Sequence, residues 1–342
     1  MYSPAPVTKK HRVANWLASS GLLRLAEYLP QRECLVVMNH HRIGDATTSD
    51  YDPGVFSATQ EALDEQLRFL KKRFQCLTLE EAIAFVEGRT RLRRAGVLLT
   101  FDDGYLDNFQ AAFPSLRSHG VQGVFFLPTR FIGSEEMTWW DRVAYMVKKA
   151  RRPKFTISYP APAGFDVAVE GLEVVLLRLF RTYKASEMQD SERFLNELHE
   201  ATDCGPLPRE RMFLNWEEAR QMLRGGMAIG SHTHGHELLA KLTPERQLEE
   251  MATSKKLIEQ NLAAPCESIA YPYGLTSSFT AKTVELAGAA GYRAGFSFFG
   301  GVNRRGSINP RNIYRQAVMG GPQLAHFRMR ALVAGITGGV EY

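Results

Sequence analysis

An α/β fold built around a seven-stranded barrel is what this sequence predicts, on three observations. Seven short apolar runs recur along the 342 residues. Amphipathic helical patterns lie between them, and one interval, residues 134–212, interrupts the rhythm. Short apolar strands separated by helices imply a parallel sheet or an α/β barrel. Seven runs make that barrel slightly smaller than the eight-stranded type.

The strand-like runs are 34–38 (CLVVM), 97–101 (VLLTF), 122–127 (QGVFFL), 227–230 (MAIG), 268–271 (SIAY), 292–297 (YRAGFS) and 312–318 (NIYRQAV). Between the first two, residues 57–74 place Leu63, Leu67 and Leu70 on one helical face. Residues 243–262 do the same with Leu248, Met251, Lys255 and Ile258, and Thr243–Pro244 supplies a cap followed by proline at the first helical position. Ahead of the strands, Val13, Trp16, Leu17, Leu23 and Leu25 form a rough helical stripe behind the basic run KKHR at 9–12. It reads either as a membrane-surface helix or as a helix capping the domain. The predicted organisation is an N-terminal amphipathic helix (1–30), a barrel (31–133 and 213–320), a mainly helical insertion (134–212, helices at 170–183 and 190–200) and a C-terminal helix or tail (321–342).

Composition narrows the function classes. Apolar residues make up 44% and charged residues 23% of the chain, as in a globular protein with a sizeable core. The net charge of +5 is concentrated in KKHR, KKR (71–73), RLRR (91–94) and KKARRPK (148–154). These clusters read as solvated faces or as contacts with an anionic partner such as phospholipid or acidic glycan, with residues 9–28 the place for a peripheral membrane contact. No helix–turn–helix, finger or aromatic RNA-binding signature accompanies them, so nucleic acid is not the expected partner. The four cysteines show no paired spacing, against a zinc ribbon or disulfide framework. With no signal peptide visible at the polar N-terminus and no apolar stretch of about 20 residues, the expected location is cytoplasmic.

Three strand ends carry unusual polar clusters. In VLLTFDDGYLDN, Asp102 and Asp103 follow a buried run directly, and adjacent carboxylates repel unless a cation lies beside them; an Asp–Gly turn is the plainer alternative. In MAIGSHTHGHELL, His232 and His236 stand four apart with His234 between. Two imidazoles and one carboxylate make a metal site with open positions for water or substrate. In SIAYPYG, the Tyr-Pro-Tyr-Gly run is a rigid turn whose backbone N–H groups can face a ligand.

Taken together, strand–TFDDG, a later strand–SHTxxH and a Pro-aromatic-Gly turn closely resemble the polysaccharide deacetylase family, the NodB-homology domain, over about residues 34–133 and 213–320. The resemblance implies a distorted (β/α)7 barrel with its site at the C-terminal ends of the strands. It implies that Asp103, His232 and His236 hold a divalent metal, by default zinc, that Asp102 is the general base, and that Tyr273 lends its backbone N–H to an oxyanion hole. The reaction implied is hydrolysis of an N-acetyl group on a glycan. Alternatives are a deacetylase or amidase acting on a small or lipid-linked sugar, and a non-catalytic glycan-binding module.

Two features depart from the common family pattern. The arginine that often precedes the Pro-aromatic-Gly turn is Ala270, and the late histidine that supplies the catalytic acid is missing, since His326 falls in a C-terminal helical pattern. A circularly permuted, exopolysaccharide-type branch offers the replacement, with a strand ending in Tyr-His placed first. CLVVMNHHRIGD is similar to it, with His40 in the tyrosine position and His41 as the acid. Arg311, in INPRNIYRQAV, is then the candidate to orient Asp102. The segment MTWWDRVAYM is similar to one in the same branch. It makes Trp139, Trp140 and Asp141, with Tyr105, candidate substrate contacts; a hydrophobic anchor is the alternative for the tryptophans.

Overall fold

The computed structural model describes residues 16, 19–185, 188–318 and 324–337. Seven parallel strands run along the path of a curled sheet: β1 (Leu35–His40), β2 (Gly96–Phe101), β3 (Gly123–Leu127), β4 (Ala228–Ser231), β5 (Ser268–Ala270), β6 (Ala294–Phe296) and β7 (Gln316–Ala317), and an eighth, the two-residue strand Gln75–Cys76, branches off to pair with the start of β2. Their spatial order is β6-β5-β4-β3-β2-β1-β7. Segment 313–317 closes the ring. Gln316 and Ala317 pair with Met38 and Asn39 of β1, while Ile313 bridges Phe296 of β6. The fold is a distorted (β/α)7 barrel.

Strands in such a sheet are covered on both faces, which is why they read as continuous apolar runs. Alternation still sorts their side chains. Val36, Met38, Val97, Leu99, Phe125 and Leu127 face the helical layer. Leu35, Val37, Leu98, Val124, Phe126, Phe296 and Ile313 fill the barrel interior. Helix α1 (Gln60–Arg73) is capped by Thr59 and buries Leu63, Leu67 and Leu70. Helix α2 (Leu79–Val86), closed by a Thr78/Glu81 capping box, sends Ile83 and Phe85 into the interior cluster at the strands' N-terminal end. The long helix α3 (Pro244–Leu262) starts at the Thr243–Pro244 signal and packs Met251 and Ile258 inward.

The chain divides into two compact units. One consists of residues 135–212 together with 45–56; the other described residues form the barrel unit. The sequence reading assigns 45–56 to the barrel, but Lys148 donates hydrogen bonds to the carbonyls of Ser49 and Tyr51, and Asp141 accepts from the Asp52 N–H. The insertion has its own core, including Val143, Met146, Phe155, Phe165, Leu176, Leu179 and Phe194. Beside helices Trp139–Lys148, Leu172–Lys184 and Ser191–Thr202 it holds an antiparallel hairpin, Lys154–Ile157 with Ala163–Asp166. Four-residue strands give too short an alternation to be read from sequence.

Of the predicted N-terminal helix, residues 1–15, 17 and 18, and with them the KKHR run, lie outside the described residues. A five-residue helix, Leu22–Ala26, follows Gly21 in the left-handed conformation. The predicted stripe does not share one face: Leu23 is buried, while Trp16 and Leu25 are 61% and 65% exposed. Glu27 pairs with Arg328 of the C-terminal helix Leu324–Thr337. No described helix is long and apolar enough to cross a membrane. All four cysteines are free.

Candidate active site

The polar clusters converge at the C-terminal ends of the strands. Two successive strand residues face opposite sides, so adjacent aspartates would ordinarily diverge. Asp103 instead adopts φ 72° and Gly104 φ 64°, turning the chain as β2 ends. Thus Asp102 and Asp103 both come within reach of the same histidine. His232 Nε2 lies 3.4 Å from Asp103 Oδ1 and 3.9 Å from Asp102 Oδ2, and His236 Nε2 lies 3.3 Å from Asp103 Oδ1. Thr233 and His236 are also left-handed, at φ 63° and 57°, which folds the loop after β4 so that both imidazoles meet one carboxylate. Such conformations cost about 1–3 kcal/mol each in non-glycine residues and persist where the surroundings impose them.

What imposes them is buried hydrogen bonding. Glu250 of α3 accepts from the backbone N–H groups of His234 and Gly235 at 3.0 and 2.6 Å. Thr233 Oγ1 accepts from the His236 N–H, and Ser231 Oγ accepts from the Thr233 N–H. The remaining histidine, His234, engages Thr129 through Nδ1 and stays outside the cluster. His232 Nδ1 lies 2.7 Å from the Ala270 carbonyl, so it carries the proton and leaves Nε2 as the ligand atom.

Asp103, His232 and His236 are all buried, and their ligand atoms lie within 4.8 Å of one another, a set that can hold a metal ion. The donor chemistry fits: Asp103 Oδ1 is buried without a properly aligned hydrogen bond and faces two imidazole nitrogens. Burial works to raise the Asp103 carboxyl, but the adjacent imidazoles of His232 and His236 hold it well below the ordinary carboxylate range. For Asp102, burial is likewise opposed by the Arg315 charge and then by His232 and His41, and the net direction is down. Both carboxylates are therefore ionised near neutral pH.

Arg315, not Arg311, is the arginine that meets Asp102, with Nη1 2.7 Å from Oδ1. Arg311 lies four residues earlier, in the turn that precedes the last strand segment. Its carbonyl accepts from the Tyr271 hydroxyl there, and its side chain lies against Gly288 of helix Ala281–Ala289. An arginine inside an apolar run was the available signal for Arg315, because a buried charge requires a partner.

The doubled histidine splits by alternation. His40 faces the helical layer, fully buried, stacked on Phe101 at 4.9 Å and 3.0 Å from Gln66 Oε1. Burial lowers its pKa to about 4, so it is neutral at physiological pH. His41 faces inward, with Nε2 4.0 Å from Asp102 Oδ2 and its side chain 28% exposed. Its backbone is held by Ser57 Oγ and Asn108 Nδ2. Tyr273, at φ 60° in the turn after β5, sets its ring 5.0 Å from that of His236.

The four substrate candidates are packed. Tyr105 is fully buried, stacked on Phe213 at 5.0 Å with the Arg42 guanidinium over its ring. Trp139 stacks on Tyr183 at 3.9 Å, Trp140 is buried against it, and Asp141 is buried, accepting from Thr138 Oγ1 and the Asp52 N–H. These are anchors of their own units. Their aromatic and acidic chemistry suits either role, and only the contacts discriminate.

The sequence model for polysaccharide deacetylases matches residues 90–157 and 178–295, more than half of the chain. The chain belongs to the polysaccharide deacetylase family. Among its relatives is YxkH of Bacillus subtilis (strain 168), itself assigned as a polysaccharide deacetylase. YxkH is 25% identical over 215 residues, which cover 63% of this chain and about half the length of YxkH. Among solved structures, IcaB from Ammonifex degensii superposes with a TM-score of 0.58 at 19% identity, over 89% of this chain and 98% of that one. A de-N-acetylase from Aggregatibacter actinomycetemcomitans gives 0.56 at 16% identity, over 86% and 99%. These likenesses concern the fold; within this family member the chemistry is argued from its own residues.

Proposed function

We propose that this deacetylase is a metal-dependent hydrolase that removes N-acetyl groups from a polysaccharide or glycan precursor of the exopolysaccharide type. The observation that carries the reading is the convergence of Asp103, His232 and His236 beside an Asp102 carboxylate that His41 also approaches. A divalent cation on one carboxylate and two imidazoles, zinc by default, would polarise the acetamide carbonyl and ease deprotonation of water. Asp102 accepts the proton of the attacking water as its oxygen bonds to the carbonyl carbon. The Tyr273 backbone N–H donates to the developing oxyanion. His41, protonated, gives its proton to the departing sugar nitrogen as the C–N bond breaks, leaving acetate and a free amine. The name of the Aggregatibacter relative, a de-N-acetylase, supports an amide rather than an ester substrate.

The test is metal analysis of the purified protein alongside acetate release from a panel of N- and O-acetylated glycans. Bound divalent metal with release from N-acetylated glycans supports the reading. Release only from O-acetylated glycans, or turnover unaffected by chelation, refutes it.

A lipid-linked precursor is the second reading, favoured by the apolar side chains exposed between 16 and 29. Trp16, Leu25 and Tyr28 are 61%, 65% and 80% exposed, near the exposed Arg24. Co-sedimentation with anionic vesicles, compared between the full chain and a variant lacking residues 1–30, tests it; equal binding removes the membrane version.

A further inference from the structure

Asn39 precedes the doubled histidine and takes no part in the chemistry above, yet it is fully buried beside the reacting carboxylate. Alternation along β1 sends it into the barrel interior. Its register partner on β2 is Thr100, whose hydroxyl donates to Asn39 Oδ1 at 2.6 Å. Arg315 Nη1 donates to the same Oδ1 at 2.7 Å, and to Asp102 Oδ1 at 2.7 Å. Asn39 Nδ2 in turn donates to Asp102 Oδ2 at 3.1 Å.

The amide has one workable orientation. With two donors pointing at Oδ1, a flip would set Nδ2 against the guanidinium and Oδ1 against the carboxylate, replacing attraction by repulsion on both sides. Arg315 alone holds Asp102 by a single oxygen, and an aspartate's terminal torsion is broad. The bond from Asn39 fixes the second oxygen and hence the carboxylate plane. That second oxygen, Oδ2, is the one 3.9 Å from His232 Nε2 and 4.0 Å from His41 Nε2. It therefore faces the place where the attacking water and the departing amine must meet.

We infer that Asn39 is a positioning residue, locked by Thr100 and Arg315, that aims the proton-accepting oxygen of Asp102 into the site. The inference rests on Asp102 being the proton acceptor. Thr100→Val removes the locking hydroxyl at nearly constant shape, Thr100→Ser retains it, and Asn39→Leu removes the clamp. Steady-state kinetics on an N-acetylated glycan and zinc content per chain are measured for each.

Misplacement of a reacting group by about 1 Å costs on the order of 100-fold. The expected result is a loss of about that size in kcat for Asn39→Leu and a smaller one for Thr100→Val. Thr100→Ser is near wild type, KM and zinc content stay constant, and adding Thr100→Val to Asn39→Leu costs nothing further. Wild-type turnover in Thr100→Val, or losses that multiply in the double variant, overturns the inference. If Asn39→Leu does not fold, the Thr100 pair decides alone. Asp102→Asn separates the layers: if it is inactive while Thr100→Val is fully active, only this inference fails. If Asp102→Asn turns over normally, the assignment of Asp102 fails and takes this inference with it.

Discussion

His40 and His41 are neighbours in sequence and opposites in environment, because a strand sends consecutive side chains to opposite faces. His40 lies among Phe101 and Gln66, and burial holds its pKa near 4 against an ordinary value near 6.5. The sign follows from proton counts. Between pH 6.5 and 4 the unfolded chain binds a proton at this position that the folded chain does not, so stability falls as pH drops through that window. The shift corresponds to about 3 kcal/mol. His40→Tyr removes this contribution, and urea unfolding of that variant at pH 7 and pH 5 should show a smaller acid loss than wild type. An equal loss in both would place the acid sensitivity elsewhere. His41 is the proposed proton donor, so His41→Ala should lower kcat by about 10²–10⁴-fold with metal content unchanged. Should His41→Ala keep its activity while His326→Ala loses it, the donor assignment is wrong.

The loop after β4 shows how an element is held for a purpose. Three backbone positions in the two loops that carry Asp103, His232 and His236, namely Asp103, Thr233 and His236, are left-handed without being glycine. Their cost is offset by Glu250, a carboxylate buried on α3 that accepts from two consecutive N–H groups of the loop. Glu250→Ala leaves those donors without their partner. Outer-shell losses of this kind typically weaken metal binding 10–100-fold, which competition with a chromophoric chelator would read. Unaltered affinity would mean that the loop holds its shape by Thr233 and Ser231 alone. On α1, the predicted stripe of Leu63, Leu67 and Leu70 is buried as a unit, and Leu67→Ala should cost about 2–5 kcal/mol of stability in denaturant unfolding.

For the molecule as a whole, the barrel lets residues distant in sequence share one site: β1, β2, β4 and the 313–317 segment all contribute at their C-terminal ends. A metal bound only to the folded barrel links binding to stability. At 100-fold excess over Kd the gain is about 2.7 kcal/mol. Zinc added to chelator-treated protein should therefore raise the thermal midpoint by several degrees, and Asp103→Ala should abolish the rise. A midpoint that zinc raises equally in Asp103→Ala would place the stabilising ion elsewhere.

Local sequence determined the strand runs, the Thr243–Pro244 helix start, the family and the Asp-Asp and His-x-x-x-His motifs, because each depends on residues near one another in the chain. Only the tertiary structure decided the rest. It replaced Arg311 by Arg315, since Arg311 falls in the turn before the ring-closing segment while Arg315 lies next to the strand that reaches Asp102, a difference invisible in sequence. It moved Tyr105, Trp139, Trp140 and Asp141 from surface candidates to packed anchors, since an aromatic residue carries the same signal in a core as in a binding wall. It brought Asn39 and Thr100 to Asp102, a contact that exists only because β1 and β2 pair in that register. Closure of the ring is itself a long-range event, in which Gln316 and Ala317 meet a strand more than 270 positions earlier.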